Sequence, residues 1–182
     1  MQWQLFVMIS AIAYITDVLS ASVTTYTNKD AWQSAIPDYS VIDFEGFPHG
    51  TPLTSQYAES HGVTFAAGNW VNNPDGIHVG LRGQPGSRLY FESPQQWVAV
   101  DFPGQILFKL YFDGEVIYES LPFWSHNSPF AGIISETPFD EVYFYRTTSS
   151  LVFYDNLYFG VPSPGALSVF ALAAFGCRRR RR

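Results

Sequence analysis

Roughly nine short segments of alternating apolar and polar residues, each bounded by turn residues, limit this chain to an all-β fold. The clearest signal is the pair of segments 108–112 and 115–118, joined by Asp113 and Gly114. Asp-Gly favours the two-residue type I′ turn of a β-hairpin, and this turn places Leu110 opposite Ile117. The hairpin residues predicted to share one buried face are Phe108, Leu110, Phe112 and Ile117.

The composition favours a β-rich chain with many turns. Aromatic residues make up 18% of the chain and charged residues only 14%, with 14 glycines and 12 prolines. One helix is predicted over residues 28–35, with Trp32 and Ile36 on its buried face. Further strands are predicted within residues 39–47, 62–65, 77–81, 88–91, 97–102, 130–135, 141–145 and 151–159. We therefore predict a β-sandwich, in the form of a jelly roll, with one short N-terminal helix.

Both ends of the chain are predicted to be hydrophobic helical segments outside this domain. Residues 5–15 are apolar, and the small residues Ser20 and Ala21 suit cleavage by a signal peptidase. No lysine or arginine precedes Lys29, so an N-terminal anchor and a misassigned start codon remain alternatives. The predicted organisation is a signal peptide at 1–21, a β-sandwich domain at 22–160 and a sorting segment at 161–182.

The last 22 residues combine a proline pair, an apolar run and a basic cluster. Pro162, Ser163 and Pro164 keep a short segment extended. The apolar run, 166–176, is shorter than the roughly 20 residues of an ordinary membrane-spanning helix. Under the positive-inside rule the basic cluster lies on the cytoplasmic side of the membrane. This cluster comprises Arg178, Arg179, Arg180, Arg181 and Arg182.

This order of features resembles the PEP-CTERM sorting signal of exported bacterial proteins, with Ser163 in place of the usual glutamate. The resemblance implies that an exosortase-like membrane enzyme recognises the tail and cleaves near it. It also implies export, transient anchoring in the inner membrane through the tail, and delivery to the cell surface or extracellular matrix. A permanent C-terminal tail anchor is the alternative.

Three short motifs in the body resemble the jelly-roll domains often found on PEP-CTERM proteins. They are Asp43-Phe44-Glu45-Gly46, Gly62-Val63-Thr64-Phe65 and the run from Asp155 to Gly160. These domains look lectin-like, so the resemblance implies a carbohydrate-binding body.

The body is strongly acidic once the two ends are set aside. The whole chain has a net charge of −6, but five of its 10 basic residues lie at 178–182 and one of its 16 acidic residues is Asp17, which leaves −10 for residues 22–160. Such a charge repels nucleic acid and anionic lipid. We therefore expect no nucleic-acid partner.

Motifs for covalent or zinc catalysis are absent from the sequence. It has no Gly-x-Ser-x-Gly or His-Glu-x-x-His motif, and its single cysteine, Cys177, lies in the tail. The four histidines are scattered singly along the chain, at His49, His61, His78 and His126. This pattern favours a non-enzymatic protein.

Acidic residues on the predicted strand 39–47 allow three interpretations. Asp43 and Glu45 would share one face, roughly 7 Å apart at Cα. If the first and last strands are neighbours, Asp155 and Asn156 join them. Asp43 and Glu45, with Asp155 and Asn156 if these join them, form a calcium site. Alternatively, Asp43 and Glu45 are a catalytic carboxylate pair of a glycan-active enzyme, or they lie on an ordinary solvated face.

Two tryptophans lie in polar, loop-like surroundings that suit carbohydrate binding. Trp70 lies near Asn72 and Asp75, and Trp124 lies near His126 and Asn127. Sugar rings pack on aromatic faces while their hydroxyls need polar partners. We therefore expect an exported, non-enzymatic surface or matrix protein that binds polysaccharide. The alternatives are a glycan-active enzyme and a purely structural matrix protein.

Overall fold

The computed structural model describes residues 22–73 and 79–160. The predicted signal peptide and sorting segment lie outside these residues, as does Asp75. The helices are α1 (Lys29–Ala35) and α2 (Ala58–His61). The strands are β1 (Val23–Tyr26), β2 (Ser40–Ile42), β3 (Val63–Phe65), β4 (Asn69–Asn72), β5 (Gly80–Gly83), β6 (Ser87–Asp101), β7 (Gln105–Phe112), β8 (Glu115–Glu119), β9 (Phe123–Trp124), β10 (Phe130–Tyr145), β11 (Val152–Tyr154) and β12 (Leu157–Gly160).

The strands form two antiparallel sheets, which confirms the predicted all-β class. The larger sheet has the order β2-β12-β6-β10-β7-β8, with β1 paired to β10, β3 to β6 and β9 to β7. The smaller sheet has the order β11-β5-β4. Apolar side chains from both sheets meet in one core, so the architecture is sandwich-like. For example, the rings of Phe144 on β10 and Tyr154 on β11 lie 4.9 Å apart.

The two longest strands, β6 and β10, form the centre of the larger sheet. Their pairing is regular from Phe130↔Asp101 to Ile134↔Trp97 and then shifts register before Phe139↔Gln95. Pro94 and Pro138 lie at this irregularity. Because proline has no N–H to donate, it is confined to such interruptions of a ladder.

Helix α1 confirms the predicted N-terminal helix. The side chain of Asn28 caps it by accepting the Ala31 N–H at 2.8 Å. Trp32 and Ile36 are both buried, as predicted, in a second cluster on the outer face of the larger sheet. The other buried members of this cluster are Trp97, Ala99, Phe130 and Tyr158.

The predicted hairpin is present, but its details differ. Asp113 and Gly114 have φ values of 54° and 81°, as a type I′ turn requires. Leu110 pairs with Tyr118 and not with Ile117, because the register shifts between Leu110 and Tyr111. The predicted burial of Phe112 is also wrong: it is 38% exposed at the strand end beside the turn.

The predicted strand 39–47 is too long. Strand β2 ends at Ile42, and Phe44 follows with a φ of 62°, in the left-handed region, and a fully buried ring. Asp43 Oδ1 accepts the N–H of Glu45 at 3.1 Å, which closes a turn. Asp43 and Glu45 are therefore exposed turn residues, and their predicted place on a strand face is wrong.

Neither described helix is long and apolar enough to cross a lipid bilayer.

Candidate functional site

The outer face of the smaller sheet carries one of the two predicted binding tryptophans. Trp70 on β4 pairs with Arg82 on β5, and Arg82 pairs with Phe153 on β11. These three residues are partly exposed, whereas the next row of the sheet, which includes Val71 and Leu81, is buried. Since side chains alternate between the two faces of a sheet, Trp70 and Arg82 lie side by side on the outer face.

A cavity of about 290 Å³ opens at this row of residues. The loop before α2 forms one of its walls, held to β4 by backbone bonds from Gly50 N–H to the Val71 carbonyl and from Val71 N–H to the Thr51 carbonyl, at 2.8 and 2.9 Å. Gly50 has a φ of 80°, which glycine adopts without strain. The residues that line the cavity are His49, Gly50, Trp70, Val71, Asn72 and Arg82.

The imidazole of His49 is oriented by the backbone at the end of β4. Its Nδ1 accepts the N–H of Asn73 at 3.0 Å. A ring nitrogen that accepts a hydrogen bond carries no proton, so the neutral ring keeps its proton on Nε2. His49 therefore supplies a hydrogen-bond donor at the cavity.

Two buried polar atoms next to the cavity lack a partner within residues 22–73 and 79–160. They are Nε of Arg82 and Oδ1 of Asn73. A buried polar group without a hydrogen bond costs about 1–3 kcal/mol. Among the described residues, the hydrogen-bonding capacity of the Arg82 and Asn73 side chains is therefore only partly satisfied.

The structure brings together only part of the predicted carbohydrate site. Trp70 and Asn72 line the same cavity, whereas Asp75 lies outside the described residues. Trp124 lies on β9 of the larger sheet, 39% exposed, with its ring 5.8 Å from that of His126. Trp70 and Trp124 thus belong to different sheets and mark two separate candidate surfaces.

The predicted calcium residues are only partly assembled. Strands β2 and β12 are neighbours, as the calcium hypothesis requires, with Ile42 opposite Leu157. Asn156, however, donates its amide N–H to Oδ2 of Asp101 at 3.0 Å. In the part of the chain that the structure describes, no three His, Cys, Asp or Glu side chains gather closely enough to hold a metal ion. Calcium binding stays a prediction.

Sequence reasoning missed a polar network that joins α1 to the larger sheet. Oδ2 of Asp101 accepts hydrogen bonds from Lys29 at 2.9 Å and from the Tyr158 hydroxyl at 2.7 Å, in addition to the Asn156 amide. Lys29 also donates to the Tyr158 hydroxyl and lies 4.5 Å from the ring centre. These partners are far apart in the sequence, so no local pattern indicates them.

The network shifts the ionisation of two of its members. Burial of Lys29 lowers its pKa, but hydrogen bonds with Tyr158 and Asp101 outweigh this effect, so the pKa lies above its ordinary value. Burial raises the pKa of Tyr158 to about 12. Both groups therefore keep their protons at neutral pH, which preserves the network.

A second cavity, of about 460 Å³, is lined by two carboxylates that no sequence pattern links. Glu59 on α2 and Glu92 on β6 line it, together with the 40% exposed Tyr90. Strand β3, between these elements, pairs with β6 and brings α2 beside it. Two carboxylates therefore line one cavity, although the two glutamates are distant in sequence.

No protein-family model, no curated protein and no solved structure matches this chain. The case for a function therefore rests on its own residues and their geometry.

Proposed function

We propose that this protein is an exported, non-enzymatic component of the cell surface or extracellular matrix that binds polysaccharide at the Trp70 cavity. The observation that carries the proposal is the partly exposed indole of Trp70, which lies in register beside Arg82 on the outer face of the smaller sheet. We further propose that the sandwich-like body is a jelly roll.

The chemistry of the cavity suits a sugar. An indole face packs against the C–H face of a pyranose ring. The Asn72 amide both donates and accepts hydrogen bonds, while His49 Nε2 and the Arg82 guanidinium donate them. Sugar hydroxyls need such mixed partners. At about 290 Å³, the cavity is at the small end of the range for ligand pockets, which fits one or a few sugar units of a longer chain.

The two ends of the sequence support the proposed destination. We propose that residues 1–21 direct export, that the tail at 161–182 anchors the protein transiently in the inner membrane, and that an exosortase-like enzyme processes the tail near Pro162, Ser163 and Pro164. The Trp70 cavity, which lies on the smaller sheet of the released body, then binds extracellular polysaccharide.

The binding test compares wild-type secreted protein with Trp70→Ala and Trp124→Ala on a polysaccharide array. Trp124→Ala is the matched control, since it removes a partly exposed indole from the other sheet. We expect Trp70→Ala to weaken binding at least tenfold and Trp124→Ala to retain it. Failure of the wild type to bind any polysaccharide would end the proposal, and loss only in Trp124→Ala would move the site to the larger sheet.

A second candidate function, a glycan-active enzyme, is favoured by the cavity that Glu59 and Glu92 line. Glycosidases act through two carboxylic residues on either side of the scissile bond. Release of reducing ends from polysaccharide by the wild type, abolished in both Glu59→Gln and Glu92→Gln, would support this candidate. Polysaccharide bound but left intact would favour the non-enzymatic proposal.

A further inference from the structure

We infer that the Trp70 cavity selects sugars that carry a carboxylate, such as uronic acid residues, and that Arg82 binds this carboxylate. The inference rests on the proposed polysaccharide binding and specifies the class of polysaccharide.

The pairing of the cations in the body distinguishes Arg82. Among the described residues, three of them form ion pairs: Lys29 with Asp101, Arg88 with Glu141 and Lys109 with Glu119. No described carboxylate lies within ion-pair distance of Arg82. In a body with three times as many acidic as basic residues, an arginine that pairs with none of the described carboxylates is unexpected on electrostatic grounds.

Arg88 shows how this fold satisfies an arginine on a sheet surface. Its guanidinium binds Glu141 and lies between the rings of Tyr111 and Tyr143, 4.9 and 5.0 Å from their centres. Within residues 22–73 and 79–160, Arg82 has an aromatic neighbour in register, Trp70, but no such carboxylate, and its Nε has no hydrogen-bond partner. Arg82 therefore resembles Arg88 without its anion, at a position that lines a cavity.

A sugar carboxylate matches the missing anion. The planar guanidinium donates two parallel hydrogen bonds to a carboxylate, an arrangement that is stronger and more directional than a bond to a neutral hydroxyl. The adjacent indole supports the sugar ring, so one uronic acid residue can contact both side chains. A neutral sugar would keep the ring contact and lose the ionic one.

Arg146 is the matched control within the same chain. Its Nε is also buried without a hydrogen-bond partner among the described residues, and no described carboxylate pairs with it, but Arg146 does not line the Trp70 cavity. Replacing either arginine by glutamine removes one positive charge and leaves the remaining charges unchanged. A difference in binding between the two variants therefore reflects the position of the arginine and not the net charge of the protein.

The test uses several uronic-acid polysaccharides, each paired with a chemically carboxyl-reduced form that differs only in the missing carboxylates. Binding of both forms is measured for the wild-type secreted protein, Arg82→Gln, Arg146→Gln and Trp70→Ala. Because the body carries a charge of −10, non-specific electrostatic repulsion disfavours the acidic forms, so a preference for an acidic form indicates a local contact.

We expect the wild type and Arg146→Gln to bind the acidic form about tenfold or more tightly than the reduced form, as a charge-assisted hydrogen bond implies. Arg82→Gln should bind both forms equally, at the affinity of the wild type for the reduced form. Trp70→Ala should lose both.

Three results would overturn the inference. Equal binding of both forms by the wild type would remove the carboxylate selection, and if Trp70→Ala then abolishes this binding, the proposed function itself stands. A preference for the acidic form that persists in Arg82→Gln would show that another residue binds the carboxylate. No binding of either form would remove the proposed function and this inference together. The wild-type comparison requires no variant to fold.

Discussion

The indole of Trp32 lies directly on Gly132: a Cβ atom added to Gly132 would stand 2.6 Å from Cδ1 of the ring. This contact joins α1 to β10, the strand that also pairs with β1, β6 and β7. Trp32 is fully buried, and its ring lies 5.8 Å from that of Phe130. The small residue in the strand is therefore what allows the helix to pack against the sheet.

Substituting Gly132 with alanine is expected to lower the free energy of unfolding by about 1–3 kcal/mol, because the added methyl group overpacks a buried contact. Trp32→Ala, which leaves a cavity, should cost about 3–5 kcal/mol. Urea denaturation measures both. The Gly132→Ala, Trp32→Ala double variant should be less destabilised than the sum of the two single variants, since removing the indole also removes the clash with the added methyl group. Additive losses would contradict this account.

Stability should fall at alkaline pH, partly through Tyr158. Burial raises its pKa in the folded protein from the ordinary value of 10.0 to about 12. A raised pKa means that the protonated form stabilises the fold. This contribution is therefore complete below pH 10 and lost between about pH 10 and pH 12. Lys29, whose pKa is also raised, acts in the same direction.

The measurement is urea denaturation of the wild type and Tyr158→Phe between pH 8 and pH 12. Burial also raises the pKa of Tyr57 to about 12, so the wild-type slope contains more than one contribution. Removing Tyr158 should reduce the slope above pH 10 by up to about 1.4 kcal/mol per pH unit. Identical slopes for the two proteins would show that Tyr158 does not titrate differently on folding.

Short-range patterns were sufficient to predict the helix, the hairpin turn and the all-β class. Asn28 caps the helix through its own side chain, and Asp113-Gly114 forms the turn through its own backbone conformation, so both signals are local. The register of the same hairpin was not predictable, because neither the Asp-Gly turn nor the apolar pattern specifies the shift between Leu110 and Tyr111. Local chemistry thus determines where elements begin, and tertiary packing determines their alignment.

Only part of the candidate site could be predicted, because some of its residues are brought together by long-range pairing. Trp70 and Asn72 were predicted to lie in loop-like surroundings, whereas both lie on strand β4. Arg82, which opposes Trp70 on the neighbouring strand β5, was overlooked. Asp43 and Glu45 were misplaced because alternation alone does not show that Phe44 adopts a left-handed backbone. Asp101 and Tyr158 are brought together only by the pairing of β6 with β12, which is a long-range event.

The calcium hypothesis makes a direct prediction for the thermal midpoint of unfolding. If Asp43, Glu45, Asp155 and Asn156 bind calcium, the midpoint should rise in excess calcium relative to chelator, because a ligand that binds only the folded state stabilises it. Asp43→Asn should remove the difference and leave the midpoint in chelator nearly unchanged, since Asp43 is exposed. Equal wild-type midpoints in the two conditions would exclude a calcium site that stabilises the fold.

The proposed export and processing are tested by identifying the termini of the mature protein. Mass spectrometry should find an N-terminus at Ala21 or Ser22 and a C-terminus near Pro162, Ser163 and Pro164, with the apolar run and the arginines removed. Replacing the five arginines at 178–182 with serine removes the charges that orient the tail in the membrane. This variant should therefore accumulate with its tail intact, whereas Ser163→Glu, which restores the usual triplet, should be processed at least as completely as the wild type. A wild-type protein that retains its tail at the cell surface would instead identify a permanent anchor.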